Sequence, residues 1–354
     1  MRKTVSGLLL ALLLAVVILP GRVSAAGNGF SGGTGTAEDP YQIATAEDLA
    51  AIPSGGASAC YLQTADIDLS GTDDWKQITL SGTYDGGGYR ILNFTSSTGG
   101  LFGTNSGTIR NVTMEGAKVS GNGLSSVGGL VNTNKGTVEN CVFSGSVDGY
   151  CGSAGDMNLG GIVGNSMDKI IHCVVKAGST ITMTAPDDAD DLFVGGITGK
   201  ATRTVTNCLN EGTVISSADG PNARCGGIVG YGNPNYTSAS VVSGCVNTGD
   251  VIGPGKSLGG IIGYSAGVEV ENCYNRGDIG GGESSANPVY PWKVNAMGGL
   301  AGDLPTNNSV DLRNSYSTGA VSGTESNSVI GTLIGRGDSA VGKTTMVTGG
   351  YWLE

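Results

Sequence analysis

The sequence predicts an all-β fold: a right-handed parallel β-helix, or β-solenoid, with a short N-terminal capping helix. Three observations predict it. A pair of glycines recurs along most of the chain, an Asn-Cys pair follows it, and a further glycine before a branched residue closes each unit. Gly accounts for 64 of the 354 residues, but there is no Gly-X-Y period rich in Pro, so collagen is excluded. Charged residues make up only 14% and aliphatic residues are spread evenly, which argues against disorder.

Residues 1–26 read as a cleaved signal peptide. Arg2 and Lys3 precede an apolar run from Leu8 to Leu19, and Val23-Ser24-Ala25-Ala26 supplies small residues for cleavage. The apolar run is short for a spanning helix, which needs about 20 residues. No second apolar segment of spanning length follows, so no membrane span is expected after signal removal. Loss of Arg2, Lys3 and Arg22 takes the formal net charge from −11 to −14. Such an acidic chain is repelled by phosphate backbones, which disfavours nucleic acid as a partner.

Residues 27–98 read as an N-terminal cap and first coils, continuous with the repeats as one domain. Thr45-Ala46-Glu47-Asp48-Leu49-Ala50-Ala51-Ile52 predicts a short helix with capping-box spacing between Thr45 and Asp48, and Pro53 is expected to stop it. Strands are expected at Tyr61–Thr64, Ala65–Leu69 and Trp75–Leu80, with a turn over Ser81–Ile91.

Residues 99–354 carry the repeats. The paired glycines begin at Gly99, Gly128, Gly160, Gly195, Gly226, Gly259 and Gly298, with a degraded copy at Gly331-Thr332; successive copies are 29, 32, 35, 31, 33, 39 and 33 residues apart. The second landmark appears as Asn140-Cys141, Asn207-Cys208 and Asn272-Cys273. Asn111 and Asn314 keep the Asn alone, while Cys173 and Cys245 keep the Cys alone. Gly145, Gly212, Gly249, Gly277 and Gly319 form the third. Units of this length mean a solenoid, a propeller or an array. No unit holds a 3.6-period apolar stripe, which removes helical solenoids, and the units are short for a propeller blade. Ordinary hairpins in a large sandwich give no reason for stacked Asn-Cys pairs.

In a parallel β-helix equivalent residues stack about 4.8 Å apart, and each landmark gains a reason. Asn tolerates positive φ in a sharp bend and can form an amide ladder. The paired glycines permit tight bending or close backbone approach. Cys141, Cys173, Cys208, Cys245 and Cys273, one per unit, should stack as free buried thiols, because parallel equivalents do not present disulfide geometry. Cys60, Cys151 and Cys225 lie off this register, and a pairing among them stays open.

The repeated Gly-Gly-[Leu/Ile]-x-Gly, the stretch Asn-Cys-Tyr-Asn-x-Gly-Asp-Ile from Asn272 to Ile279, and the front block from Gly35 to Ile43 together resemble the GLUG-motif repeat proteins of bacterial surfaces. In that family the front block precedes the capping helix and an Asp-Ile-Asp-Leu stretch, here Asp66 to Leu69. The resemblance implies a secreted or wall-associated β-solenoid, often part of adhesins or of large secreted peptidases, with no catalytic residues. The chain has neither a Leu-Pro-x-Thr-Gly sorting motif nor an added wall-binding module. Handedness follows from the preference of parallel crossovers and from this resemblance, not from the spacing.

No site residues are assigned: catalytic, cofactor-binding and metal positions are all read as none, and no cofactor is expected. The single histidine, His172, replaces the Asn of a unit and reads as a ladder position. No His-Glu-x-x-His occurs, and no nucleophile elbow precedes a helix. The expected function is an adhesin-like binding or scaffold role toward a glycan or protein of a host or matrix. The alternatives are a β-helix enzyme acting on carbohydrate and a passive spacer. For an enzyme, two carboxylates must face one cleft; Asp66, Asp68, Asp73 and Asp74 in the cap, and Asp187, Asp188, Asp190 and Asp191 between units, are the available clusters. The second cluster could also hold calcium weakly. Contact loops are expected before Gly195, at Tyr231–Ser240 and at Gly281–Ala296, the last with Tyr290 and Trp292 as binding residues. The C-terminal Tyr351-Trp352 either plugs the last coil or marks an early end.

Overall fold

The computed structural model describes residues 29–72, 75–152, 156–186, 189–216, 223–233, 240–254, 256–281, 296–304, 310–323, 329–337, 345–348 and 351–352. The signal segment, Asp73, Asp74, Asp187, Asp188, Tyr290 and Trp292 lie outside these.

The expected parallel β-helix is what the chain forms. One coil illustrates all of them. It runs through short strands at Met157–Gly160, Val163–Ser166, Ile170–Ile171, Val174–Val175 and Thr180–Thr184. The next begins at Leu192–Gly195, directly on top and parallel: Leu159 stands opposite Val194, and Gly160 opposite Gly195. Stacked coils generate four parallel sheets. Among the described residues, one has 11 strands from Tyr41–Ile43 to Thr345–Thr348, and one has 16. A third has seven strands, each ending in or beside the glycine pair. The fourth has nine, all but the first, Ile78–Leu80, beginning just after the pair or its degraded copy. Strands are short because Gly, Asn and Asp interrupt them every few residues. The fold survives because each strand finds both neighbours in the coils above and below.

The shaft is filled by ladders of equivalent apolar residues. Val138, Ile170, Val205, Val242, Val270 and Leu312 form one, and Leu130, Ile162, Ile197, Ile228, Ile261 and Leu300 another, all sealed from solvent. Each such side chain contributes about 1.5–3 kcal/mol by leaving water. The five unit cysteines are buried in a third ladder and are free thiols, as are Cys60, Cys151 and Cys225. Burial holds the Cys141 and Cys208 thiols above the ordinary range and pushes Cys225 up to about 12, so these sulfurs are packing groups rather than nucleophiles.

The bend before each unit cysteine, or before the residue in its place, takes the left-handed conformation: φ lies between 46° and 56° at Asn93, Asn111, Asn140, His172, Asn207, Asn272 and Asn314, and is 63° at Gly244. Their side chains form an exposed ladder, with Asn140 donating to Asn111 at 3.4 Å and Asn314 to Asn272 at 3.4 Å. His172 belongs to it. Asn207 Nδ2 lies 3.1 Å from His172 Nε2, within hydrogen-bond distance.

A second, buried amide ladder accompanies the first. Asn210, Asn247 and Asn275, two residues before a glycine, are fully buried. Asn247 donates to Gly249 O at 2.7 Å and to Asn275 Oδ1 at 2.8 Å, and accepts from Asn210 Nδ2 at 2.8 Å. Asn105 and Asn134 do the same at another corner, where Asn105 donates to Asn134 Oδ1 at 2.8 Å. The glycine beyond each Asn has no room for a side chain: a Cβ on Gly277 would stand 1.9 Å from Gly249 O.

The helix spans Ala46–Gly55 with Thr45 as N-cap and the full capping box in place. Asp48 Oδ2 also accepts from Ser31 Oγ at 2.6 Å and from Ala44 N at 2.9 Å, locking the front block onto the helix. Leu49 and Ile52 are buried over the first coil, beside the rings of Phe30, Tyr41 and Tyr61. Two sequence expectations need correction. Pro53 lies inside the helix rather than stopping it. The carbonyls at that end find a donor in the Tyr61 hydroxyl, 2.9 Å from Ile52 O and 2.8 Å from Gly56 O, which makes the last turn tenable. Ser81–Ile91 is not a simple turn: it holds a strand at Thr83–Asp85 and the start of another at Arg90–Leu92, because stacking on the next coil gives both a partner.

Candidate binding cleft

The glycine pairs build a region where outward side chains converge. At each pair the chain reverses sharply between the seven-stranded and nine-stranded sheets. Gly259 is representative: a Cβ there would lie 2.0 Å from Ile262 O. The third glycine lets the two arms close on each other, since a Cβ on Gly199 would come 2.5 Å from the backbone nitrogen of Leu159 in the preceding coil. The arms therefore form a V along the solenoid. Residues of one parity face the shaft; those of the other line the V.

On the first arm the V-facing register runs Ser126, Asn158, Phe193, Arg224, Ser257, Ala296. On the second it runs Thr104, Thr133, Asn165, Lys200, Tyr231, Tyr264, Asp303, Arg336. The rungs touch across the V and along it. Phe193 and Tyr231 rings lie 4.5 Å apart, and Tyr231 and Tyr264 5.4 Å apart. The Arg224 guanidinium sits 4.5 Å from the Tyr264 ring centre and 5.3 Å from that of Phe193, and Lys200 Nζ sits 5.5 Å from that of Tyr231. Arg224 pairs with Asp191 at 2.9 Å, and Arg336 pairs with the buried Asp303. Burial raises the Tyr264 phenol above its usual range, with Arg224 opposing, so it stays a hydrogen-bond donor.

Four buried side-chain polar atoms lack a hydrogen-bond partner among the described residues: Asn158 Oδ1, Asn165 Oδ1, Arg224 Nε and Ser257 Oγ. All four belong to the two V-facing registers. Buried polar atoms are otherwise nearly always paired, and leaving one unpaired costs about 1–3 kcal/mol. At the N-terminal end the V opens into a cavity of about 330 Å³ whose lining includes Gln77, Thr79, Thr104, Ser126, Asn132 and Thr133. Asn132 replaces the third glycine here and caps the first arm, accepting from Gly100 N at 2.8 Å and Gly128 N at 3.2 Å.

Of the carboxylates singled out from sequence, the four among the described residues do not assemble. Asp66 is held below the usual carboxylate range chiefly by the Arg90 side chain, 2.6 Å away, and Asp68 by Asn93 and Ser70; both are exposed rungs of the outer surface. Asp190 is exposed, and Asp191 is committed to Arg224. Among the described residues no three potential metal ligands come together. The cleft itself was missed by sequence reasoning. Its signal was present, as the residue two before each glycine pair and the one after the third glycine, but these positions differ from unit to unit and look like noise beside the glycines.

No family model matches the chain. A stretch of 113 residues is 33% identical to Halomucin of Haloquadratum walsbyi, covering 25% of this chain and 1% of that protein. The fold is similar to that of a solved structure from Bacteroides ovatus assigned as an immunoglobulin A1 protease, with a TM-score of 0.60 and 24% identity over 77% of this chain and 86% of that one. It is also similar to an IgA1 protease, with a TM-score of 0.51 and 14% identity over 88% of this chain and 21% of that one. The chain thus spans a very small part of Halomucin and about a fifth of the second protease. What these likenesses establish is the architecture: the chain is a parallel β-helix.

Proposed function

We propose that the protein is an extracellular, adhesin-like β-solenoid that binds a chain-like ligand along the glycine-hinged cleft and performs no chemistry on it. The observation that carries this reading is the pair of registers that line one continuous V, in which hydroxyl, amide and aromatic side chains follow one another from coil to coil. A passive spacer has no use for such a row, whereas a ligand with hydroxyl or amide groups can bond to it. The coil spacing of about 4.8 Å gives a regular row of contacts on which weak interactions add. The apolar segment at the N-terminus supports export. Among the described residues no helix is long and apolar enough to cross a membrane. The repeats support membership of the GLUG-motif group named above.

Glycoside hydrolysis of the usual kind needs two carboxylates facing one cleft, and Asp303 in the V and Asp191 beside it are each paired with an arginine. The protease names attached to the similar structures belong to those proteins. The test is a binding screen of the purified secreted chain against immobilised polysaccharides and extracellular-matrix proteins, with reducing-end and peptide-release assays run in parallel. Retention without product supports the reading. Product formation abolished by Asp191→Asn or Asp303→Asn would replace it with an enzymatic one.

A further inference from the structure

We infer that the ligand of the cleft is a neutral polysaccharide, with one sugar unit seated in the 330 Å³ cavity at the N-terminal end. This rests on the binding role proposed above and names its ligand class. The cavity lining holds hydroxyls and amides and no charged side chain: Gln77, Thr79, Thr104, Ser126, Asn132 and Thr133. A pyranose matches such a surface, because each of its hydroxyls both donates and accepts. The next coil continues the same chemistry with Asn158 and Asn165.

Charge points the same way. Arg224 and Arg336 are each neutralised by an aspartate, which leaves Lys200 as the cation of the V without an ion pair among its residues. The chain as a whole is at −11, so an acidic polymer would be repelled at long range. A peptide is a poorer fit. Peptides dock on sheets through unpaired strand edges, and the backbone of both arms is paired from coil to coil. The rings of Tyr231 and Tyr264 further along add apolar surface against which sugar C–H faces can lie.

The experiment is affinity electrophoresis and calorimetry of the secreted chain with three neutral probes, a β-glucan, a mannan and a galactan, and two acidic ones, polygalacturonate and hyaluronan. The variants are Thr104→Val with Thr133→Val, which keep β-branching and remove the hydroxyls, and Lys200→Gln. The inference predicts that a neutral probe binds, that binding changes less than twofold between 50 mM and 500 mM salt, that the double valine variant weakens it tenfold or more at an unchanged melting midpoint, and that this small salt dependence is the same in Lys200→Gln. Binding of an acidic probe alone, lost in salt and in Lys200→Gln, would overturn the neutral ligand while keeping the cleft. Binding of a matrix protein but of no polysaccharide, unaltered in the double valine variant, would overturn both readings. No binding to any neutral probe overturns the inference.

Discussion

The Asn corner and the glycine cleft are built from the same repeats, yet they obey opposite rules. At the corner the same chemistry recurs: Cys141, Cys173, Cys208, Cys245 and Cys273 stack in the shaft, and the bend outside them is Asn, His or Gly at positive φ. In the cleft, positions in equally strict register carry Ser126, Asn158, Phe193, Arg224 and Ser257 in succession. The corner is constrained because each residue must fit its own image one coil away. The cleft faces outward, so its residues are free of that demand. Buried polar atoms without partners are found there and nowhere else among the described residues. Repetition marks what holds the coil, and its breakdown on a half-enclosed surface marks what the coil presents.

Substitutions can break this contrast, and the hinge should give the largest effect. Gly259→Ala drives a Cβ to 2.0 Å from Ile262 O, and the loss should exceed about 4 kcal/mol, read as a collapse of the guanidinium midpoint. Asn247→Ala removes three buried hydrogen bonds and leaves Asn210 Nδ2 and Asn275 Oδ1 each one partner fewer; about 2–4 kcal/mol should be lost. Cys208→Ala takes one rung from the thiol ladder and should cost about 1 kcal/mol, since the cavity is small. If the cysteine change proved as severe as the asparagine change, the thiols would be doing more than filling space.

Acid should act on the outer rungs. Asp66 and Asp68 have carboxyl groups held below their ordinary range by Arg90 and by Asn93 with Ser70. Their support is present above the unfolded value, about 4, and is lost as pH falls through the lower folded value. Melting followed from pH 5 to pH 2 should weaken below about pH 4, and Asp66→Asn should flatten that decline. The smallest effect concerns exposure. Native-state alkylation should label Cys60, which is half-buried, before the seven buried thiols, and denaturation should release all eight as free.

Much of the corner was legible because stacking writes itself into sequence as identity at a fixed period. Asn-Cys announced a bend and an inner rung. The buried Asn210–Asn247–Asn275 ladder was legible in principle as Asn-x-Gly but was overshadowed by the Asn before the Cys. Pro53 misled because its effect on the helix depended on a distant donor, Tyr61, that no local pattern encodes. The cleft was least legible. Convergence of the two arms depends on how closely glycines let strands of successive coils approach, which is a property of the stack rather than of any unit.

The contrast between the regions comes down to one comparison. Arg224→Ser and Tyr264→Thr replace two cleft residues with ones that other coils already carry at the same register, Ser257 and Thr133. The double variant should melt within about 2 °C of the parent and bind the neutral polysaccharide at least tenfold more weakly. A variant that melts far lower, while its folded fraction binds as tightly as the parent, would mean that the cleft residues serve the fold and that the ligand sits elsewhere.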